Sequence, residues 1–391
     1  LLSRRQRQMC IRDRMKGYWF FIDSYVYVNV VGIRALLYNT LDGNIIKVEN
    51  TEVANLLLNL LSEDNCGVCF LEENDYLKED INCFINELRD KYMGDVIDVS
   101  LSKGKPIQIL PYVNFPSKID MKYNYTKVEN LLNLLLEIKI NIGINTDVEK
   151  VISYLNALDL NIKYSVLGDL NSNCNSNDLI RNLEKMSKNI DVILTYDQIQ
   201  HIENKFEDNI SYKVVFELPI ELEKILMIVS LVEERKLQVK YVFNLKSVDE
   251  YKCAEKLAEK INIEKCEFNP VYTGENMDFF MEYVYLNEED IESVRMSMKD
   301  FFMKRFINTN DFGKITIDAD GTIYANINQP ALGTIYTCSM FEIIQKELKT
   351  GKSWLRTRVQ EPCNNCLYRL LCPSPSDYDL SLGKMNLCHV K

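Results

Sequence analysis

The sequence predicts an α/β chain: a partial (β/α)6 barrel, a winged-helix-like module ahead of it and a cysteine-rich segment behind it. Three observations carry this. Apolar strand candidates recur six times between residues 101 and 300, with helical stretches between most of them. Ahead of them, β-branched and aromatic runs give way to apolar residues at helical spacing. Behind them, four of the twelve cysteines crowd into the final stretch.

Composition sets the frame. At roughly 150 residues per domain, 391 residues correspond to two or three domains. Apolar residues at 47% and charged residues at 26% are ordinary globular values and exclude wholesale disorder. A net charge of −11 and a pI of about 5.0 argue against nucleic acid or an anionic membrane as the main partner. No apolar run is long enough for a membrane span. With twelve cysteines and two histidines, any bound metal is held mainly by sulfur.

Residues 1–14 carry five Arg and one Asp and lack a secretory apolar core. A natural basic tail is one reading. The preferred one is that Gln8-Met9-Cys10-Ile11-Arg12-Asp13 is translated sequencing adapter, a non-native extension, and that Met15 is the start. Without the segment the net charge is −15, from 41 basic and 56 acidic residues. No targeting signal follows Met15. The expected location is therefore the cytoplasm, where thiols stay reduced.

Residues 15–100 read as the winged-helix-like module. Tyr25 to Val31, Ala35 to Tyr38 and Asn44 to Val48 form a meander, turned at Asp42-Gly43. Val53, Leu56, Leu57, Leu60 and Leu61 then mark one helix face; Ile81, Phe84, Ile85 and Leu88 mark another, with Gly94 as its expected stop. Six basic and fifteen acidic side chains in this stretch would repel a phosphate backbone. That leaves peptide-strand addition at a sheet edge, or a packing domain without ligand. Cys66 and Cys69 form a CxxC on a predicted strand. Residues three apart on a strand face opposite sides, so both, with Cys83, are expected to be core residues.

Residues 101–300 hold strand candidates at Ile138 to Ile144, Ile162 to Leu167, Val192 to Leu194, Val214 to Leu218, Tyr241 to Leu245 and Glu267 to Tyr272. Helices are expected at Val148 to Leu158, Leu179 to Met186, Leu222 to Val232 and Glu250 to Lys260. An open doubly wound sheet is the alternative to the partial barrel. The loops at the strand carboxyl ends, where such folds do their chemistry, are poor. Asn145-Thr146-Asp147 reads as a helix cap. Leu167-Gly168-Asp169 reads as a turn, Cys174, Cys253 and Cys266 stand singly, and His201 reads as a surface residue.

Residues 301–391 carry the strong signal. Cys363, Cys366, Cys372 and Cys388 follow C-x2-C-x5-C-x15-C. Four thiolates suit tetrahedral Zn²⁺ or an iron–sulfur cube, and the residue pattern leaves that choice open. Pro362, Pro373 and Pro375 keep the segment irregular, as a ligand loop requires. Residues 351–391 hold six basic and three acidic side chains, so Arg356, Arg358 and Arg369 are candidates to offset a negative centre.

Asp320-Gly321-Thr322-Ile323-Tyr324-Ala325-Asn326, Gly333-Thr334-Ile335-Tyr336-Thr337-Cys338 and the four tail cysteines together resemble a SPASM domain, the cluster-binding extension of radical SAM peptide maturases. The phrases around Cys372-Pro373-Ser374-Pro375-Ser376 and Asn386-Leu387-Cys388-His389 are closest to the pseudo-radical-SAM proteins of the GG-Bacteroidales ribosomal peptide system. By that resemblance residues 15–100 are a leader-peptide recognition module, 101–300 a degenerate radical-SAM-like barrel and 301–391 a SPASM-like iron–sulfur domain. SPASM domains commonly hold two auxiliary [4Fe–4S] clusters. The second set maps onto Cys363, Cys366, Cys372 and Cys388. The first expects cysteines near Asn326 and at Ser376 and retains only Cys338. One cluster is therefore expected.

The C-x3-C-x2-C that ignites S-adenosylmethionine is absent from the sequence, so no cleavage of that cofactor is expected. The resemblance implies an accessory role rather than an enzyme: a precursor peptide and an active radical SAM maturase as partners, no nucleic acid, no membrane. Two alternatives stand: an enzyme with an unidentified non-radical activity in the barrel, or a structural protein stapled by zinc.

Overall fold

The computed structural model describes residues 16–65, 67–110, 131–158, 161–171, 173, 175–201, 210–261 and 266–390. The 1–14 extension, Met15, Cys66 and Cys174 lie outside them, as does the His201 side chain.

The N-terminal part comprises β1 (Gly17–Ile22), β2 (Val26–Val31), β3 (Arg34–Asn39), β4 (Ile45–Glu49), α1 (Thr51–Leu60), β5 (Val68–Glu72), α2 (Glu79–Asp90) and β6 (Gly94–Asp98). β2, β3 and β4 form the expected antiparallel meander. Asn50 starts α1 by accepting from the Glu52 and Val53 amides, and Val53, Leu56, Leu57 and Leu60 fill its buried face. β1, with β5 and β6 on its two sides, makes a second antiparallel sheet. Gly94 does not end α2; it opens β6, where a Cβ would lie 2.5 Å from the Phe21 carbonyl. Cys69 is buried, and burial pushes its thiol up to about 12. Cys83 is exposed, contrary to the expectation of a core residue. It follows the buried Ile81 by two positions, about 200° around a helix.

The central part alternates β7 (Glu137–Ile142), α3 (Val148–Asn156), β8 (Lys163–Gly168), α4 (Ser176–Met186), β9 (Ile190–Thr195), β10 (Ile210–Glu217), α5 (Leu222–Glu234), β11 (Gln238–Leu245), α6 (Val248–Ile261) and β12 (Cys266–Pro270). β7 to β12 are parallel and stand side by side in chain order. A doubly wound sheet reverses its strand order at a switch point, and this run contains no reversal. Strand alternation splits the sheet into two faces. Ile138, Ile140, Val166, Val192, Val214, Phe216 and Phe243 bury one face in a core shared with helix residues such as Val151, Leu183 and Ile228. Lys139, Asn141, Ser165, Asp191, Lys213, Glu217 and Asn244 occupy the other.

The chain continues through α7 (Met277–Tyr283), α8 (Glu288–Ser293) and α9 (Met298–Phe306) into β13 (Lys314–Ile317), β14 (Thr322–Tyr324) and β15 (Gly333–Thr334). β13 pairs in parallel with β7, and β14 and β15 follow antiparallel, completing a mixed nine-stranded sheet. α10 (Met340–Thr350) and α11 (Asp377–Ser381) complete the C-terminal part.

Two hydrophobic cores result. One joins the parallel sheet to β13, β14, α10 and Trp354. The other joins the N-terminal part to Ile291, Met296, Phe301, Tyr368, Leu371 and Cys372. Tyr27 of β2 stacks on Phe301 of α9 with ring centroids 4.2 Å apart. The cysteine-bearing stretch thus packs on the N-terminal module. No helix among the described residues is long and apolar enough to cross a membrane.

Candidate metal centre

Local backbone geometry sets the thiols. Cys363 opens a 3-10 turn, Cys363–Asn365, and the Cys366 amide donates back to the Cys363 carbonyl at 3.2 Å. The Cys372 amide donates to the Tyr368 carbonyl at 2.9 Å, curling the next stretch over the first. Cys388 arrives on a tail segment. The Leu286 amide donates to the Leu387 carbonyl at 3.0 Å, and the His389 amide donates to the Leu286 carbonyl at 2.9 Å. His389 does not join the thiols; its Nε2 lies 2.8 Å from the Met281 carbonyl.

Cys363, Cys366, Cys372 and Cys388 line a single cavity of about 200 Å³, with Arg358, Arg369, Asn386 and apolar Leu286, Ile291 and Val390 on its walls. Burial pushes up the thiols of Cys363, Cys366 and Cys372, the last to about 12, and neighbouring tail thiols add to each shift. Positive charge opposes them. Arg358 pulls down Cys363 and Cys372, and Arg34 pulls down Cys366. Lys304 lies beside Cys372, its amine driven down to about 8 by burial. Crowded, buried thiols need a positive counterweight to ionise together.

The donor set fits an inorganic sulfur centre. Asn386 Nδ2 donates to Cys388 Sγ at 3.0 Å, and Arg358 brings positive charge to Cys363 and Cys372. Among the described residues the buried Arg369 Nε has no acceptor, and Arg369 lines the cavity. Among the described residues, no three His, Cys, Asp or Glu groups converge as ligands of one metal ion. Tetrahedral Zn(Cys)4 brings its sulfurs to about 3.8 Å from one another. In a cube each thiolate holds a separate iron, so the sulfurs stand further apart around an open middle. The cavity, about 200 Å³, is several times the roughly 30 Å³ claimed by one water, which leaves room for the wider arrangement.

Of the three arginines expected near the centre, Arg358 and Arg369 line the cavity. Arg358 is anchored by Asp379 at 3.4 Å and the Pro373 carbonyl at 2.7 Å. Arg356 turns elsewhere, onto the Pro375 and Ser376 carbonyls and Asp311. There a polar network occupies the region of Asn326 and Ser376. Asn326 Nδ2 bridges Asp311 (3.1 Å) and Asp377, Asn308 Nδ2 donates to Asp311 (3.1 Å), and Ser376 caps α11 against Asp379. Cys338 lies apart from this network, beside Gly333 and Thr337.

Burial first, then Asp377, push the Asp311 carboxyl up to about 6 against the pull of Arg356 and Asn326. A carboxyl raised on folding destabilises the native state once it must ionise. The cost is absent below the ordinary 3.8 of an aspartate, grows as pH rises, and is complete above about 6. Asp311→Asn removes this slope. The stability of wild type relative to the variant should fall by about 2–3 kcal/mol between pH 4 and pH 7 in urea titrations.

At the carboxyl end of β7, residues 143–147 alone lead into α3. Asp147 caps α3 on the Lys150 amide, and Thr146 Oγ1 ties the Gly143 amide to the Ala319 carbonyl, each at 2.8 Å. Gly168 closes β8 at φ 108°, where a Cβ would lie 2.2 Å from the Ile142 carbonyl.

Two groups of residues escape sequence reasoning. Asn29 of β2 donates to the Cys366 and Leu367 carbonyls, and Lys47 of β4 meets Glu288, Glu292 and the Tyr368 hydroxyl. Both contacts span more than two hundred residues, and nothing in the local pattern marks them. At the carboxyl ends of β10 to β12, Lys246 pairs with Glu217, Asn244 donates to Glu217, Asn269 donates to Asn244, and Tyr378 of α11 donates to the Pro270 carbonyl. Here a sequence signal exists: polar residues ending three apolar strands.

No family model matches the chain, and comparison with curated proteins finds none that matches. Among solved structures, native anSMEcpe with bound AdoMet and Cp18Cys peptide gives a TM-score of 0.41 at 14% identity, over 61% of this chain and 88% of that one. Native anSMEcpe with bound AdoMet and Kp18Cys peptide gives 0.41 at 12%, over 60% and 88%. BtrN in an open conformation gives 0.28 at 12%, over 60% of this chain and 92% of that one.

Proposed function

We propose that the chain is a catalytically inactive radical-SAM-like accessory protein of ribosomal peptide modification. In this reading it carries one [4Fe–4S] cluster on Cys363, Cys366, Cys372 and Cys388, and binds a precursor peptide, an active maturase, or both. The supporting observation is four thiols from two chain segments around one cavity, with Arg358 and Arg369 on its walls and the Asn386 carboxamide donating to the Cys388 sulfur. A bound cluster supplies a one-electron inorganic centre. The protein's part is to hold the thiolates, shield them with Leu286, Ile291 and Val390, and balance their charge with Arg358 and Arg369.

Catalytic inactivity rests on the sequence, which lacks C-x3-C-x2-C. The short, hydrogen-bonded turn after β7 agrees with it. The acidic module of residues 15–100 is the proposed peptide holder, residues 101–300 the degenerate barrel, and residues 301–391 the SPASM-like part.

Anaerobic reconstitution with iron and sulfide tests the reading. About four irons per chain, without cleavage of added S-adenosylmethionine, is the expected result. One zinc and no iron would replace the cluster by a structural staple. Cleavage of the cofactor would overturn the assignment as inactive.

A further inference from the structure

Two strands of the N-terminal part, β2 and β4, reach the cysteine stretch at and just after Cys366. On β2, the single Asn29 carboxamide donates to two successive carbonyls, Cys366 at 3.1 Å and Leu367 at 2.7 Å. On β4, Lys47 binds Glu292 at 2.9 Å, and the Tyr368 hydroxyl donates to Glu288 and Glu292, each at 2.8 Å. Beneath these contacts Tyr368, Leu371 and Cys372 are buried in the module's own core.

The turn that Asn29 holds carries Cys366, whose carbonyl also accepts from the Arg369 amide at 3.2 Å. The peptides on either side of Leu367 link Cys366 to Tyr368. Rotation of these peptide planes would move the Cys366 thiol. One Asn side chain on two adjacent carbonyls blocks that rotation. Groups that fix a ligand's orientation from outside the ligand set typically govern metal affinity by 10–100-fold.

We infer that Asn29 is a positioning residue for the metal centre, and that the β2–β3 hairpin and the centre form one coupled unit, so that loading either one orders the other. The inference rests on the reading of the four cysteines as metal ligands. Linkage makes the coupling reciprocal: a group that orders the hairpin tightens the metal, and metal orders the hairpin by the same factor.

The experiment uses the full chain reconstituted with iron and sulfide under anaerobic conditions. Asn29→Asp places a carboxylate oxygen against two carbonyl oxygens; Asn29→Gln keeps an N–H donor. Asn29→Asp should lose iron to a chelator about 10–100-fold faster than wild type, with a shifted cluster midpoint potential, while Asn29→Gln stays close to wild type on both. Should Asn29→Asp fail to fold by circular dichroism, Asn29→Ser, which is too short to span both carbonyls, takes its place with the same expectation. In wild type, hydrogen exchange of the β2 and β3 amides should slow when metal is loaded. A folded Asn29→Asp (or Asn29→Ser) protein with unchanged iron release and unchanged potential overturns the inference and leaves the four-cysteine reading intact. Unchanged exchange at β2 and β3 on loading also overturns it. Wild type that takes up no metal overturns the four-cysteine reading itself, and the inference with it.

Discussion

If the four tail cysteines hold the proposed cluster, Cys372→Ala should empty that centre and loosen the N-terminal part in the same protein. Cys372 lines the cavity and is also buried in the core that holds Phe20, Leu37, Leu57 and Leu88. Removing one of four thiolates should reduce bound iron from about four per chain to below one. In metal-free protein the lost sulfur costs about 1 kcal/mol. In loaded protein the loss is larger, because metal-binding free energy is folding free energy. Iron analysis and native-state hydrogen exchange of β2 and β3 read the two effects separately. Segment boundaries drawn from the sequence alone would let residues 15–100 stay unaffected; the shared core removes that independence. Unchanged iron content in the variant would show that the ligand set is wrong.

Trp354→Ala should detach the last three strands of the large sheet from the rest. Trp354 is fully buried and packs on Phe312 with ring centroids 5.4 Å apart. Its Nε1 donates to the Lys314 carbonyl at 2.8 Å, where β13 begins, and its carbonyl accepts from the Asn308 amide at 2.8 Å. Its own amide and that of Ser353 donate to Glu347 Oε1, each at 2.8 Å. Glu347 is buried, and burial raises its carboxyl, so the two amides are what keep its charge tolerable. Truncation leaves a large cavity and an unpaired carbonyl, a cost of about 3–5 kcal/mol. Urea unfolding at neutral pH measures it; a cost below about 1 kcal/mol would mean that β13 is held by its pairing with β7 alone.

The parts that the sequence made legible are those written in local period or spacing. α1 and α2 follow from apolar residues at helical steps, and β7 to β12 from short apolar runs between helices. Cys363, Cys366 and Cys372 follow from close local spacing, whereas Cys388 joins them in one cavity through its tail's pairing with Leu286. Illegible were relations between distant segments. β1 looks like any aromatic run, and only the pairing with β5 and β6 gives it a place. Arg356, Arg358 and Arg369 are alike in sequence, yet Arg356 faces Asp311 while the others face the thiols. Asn29 has no distinguishing neighbour at all. Cys83 was legible in principle, since the same spacing that buries Ile81 and Phe84 turns it outward.

The four thiols differ in when the folding chain can supply them. Cys363, Cys366 and Cys372 belong to one short loop that closes at small entropic cost, whereas Cys388 waits until its tail finds Leu286 across a long intervening stretch. The fourth arm therefore depends on a contact that the other three do not need, made where the tail meets the link between α7 and α8. A complete set of four thiols would report that these two distant segments have met.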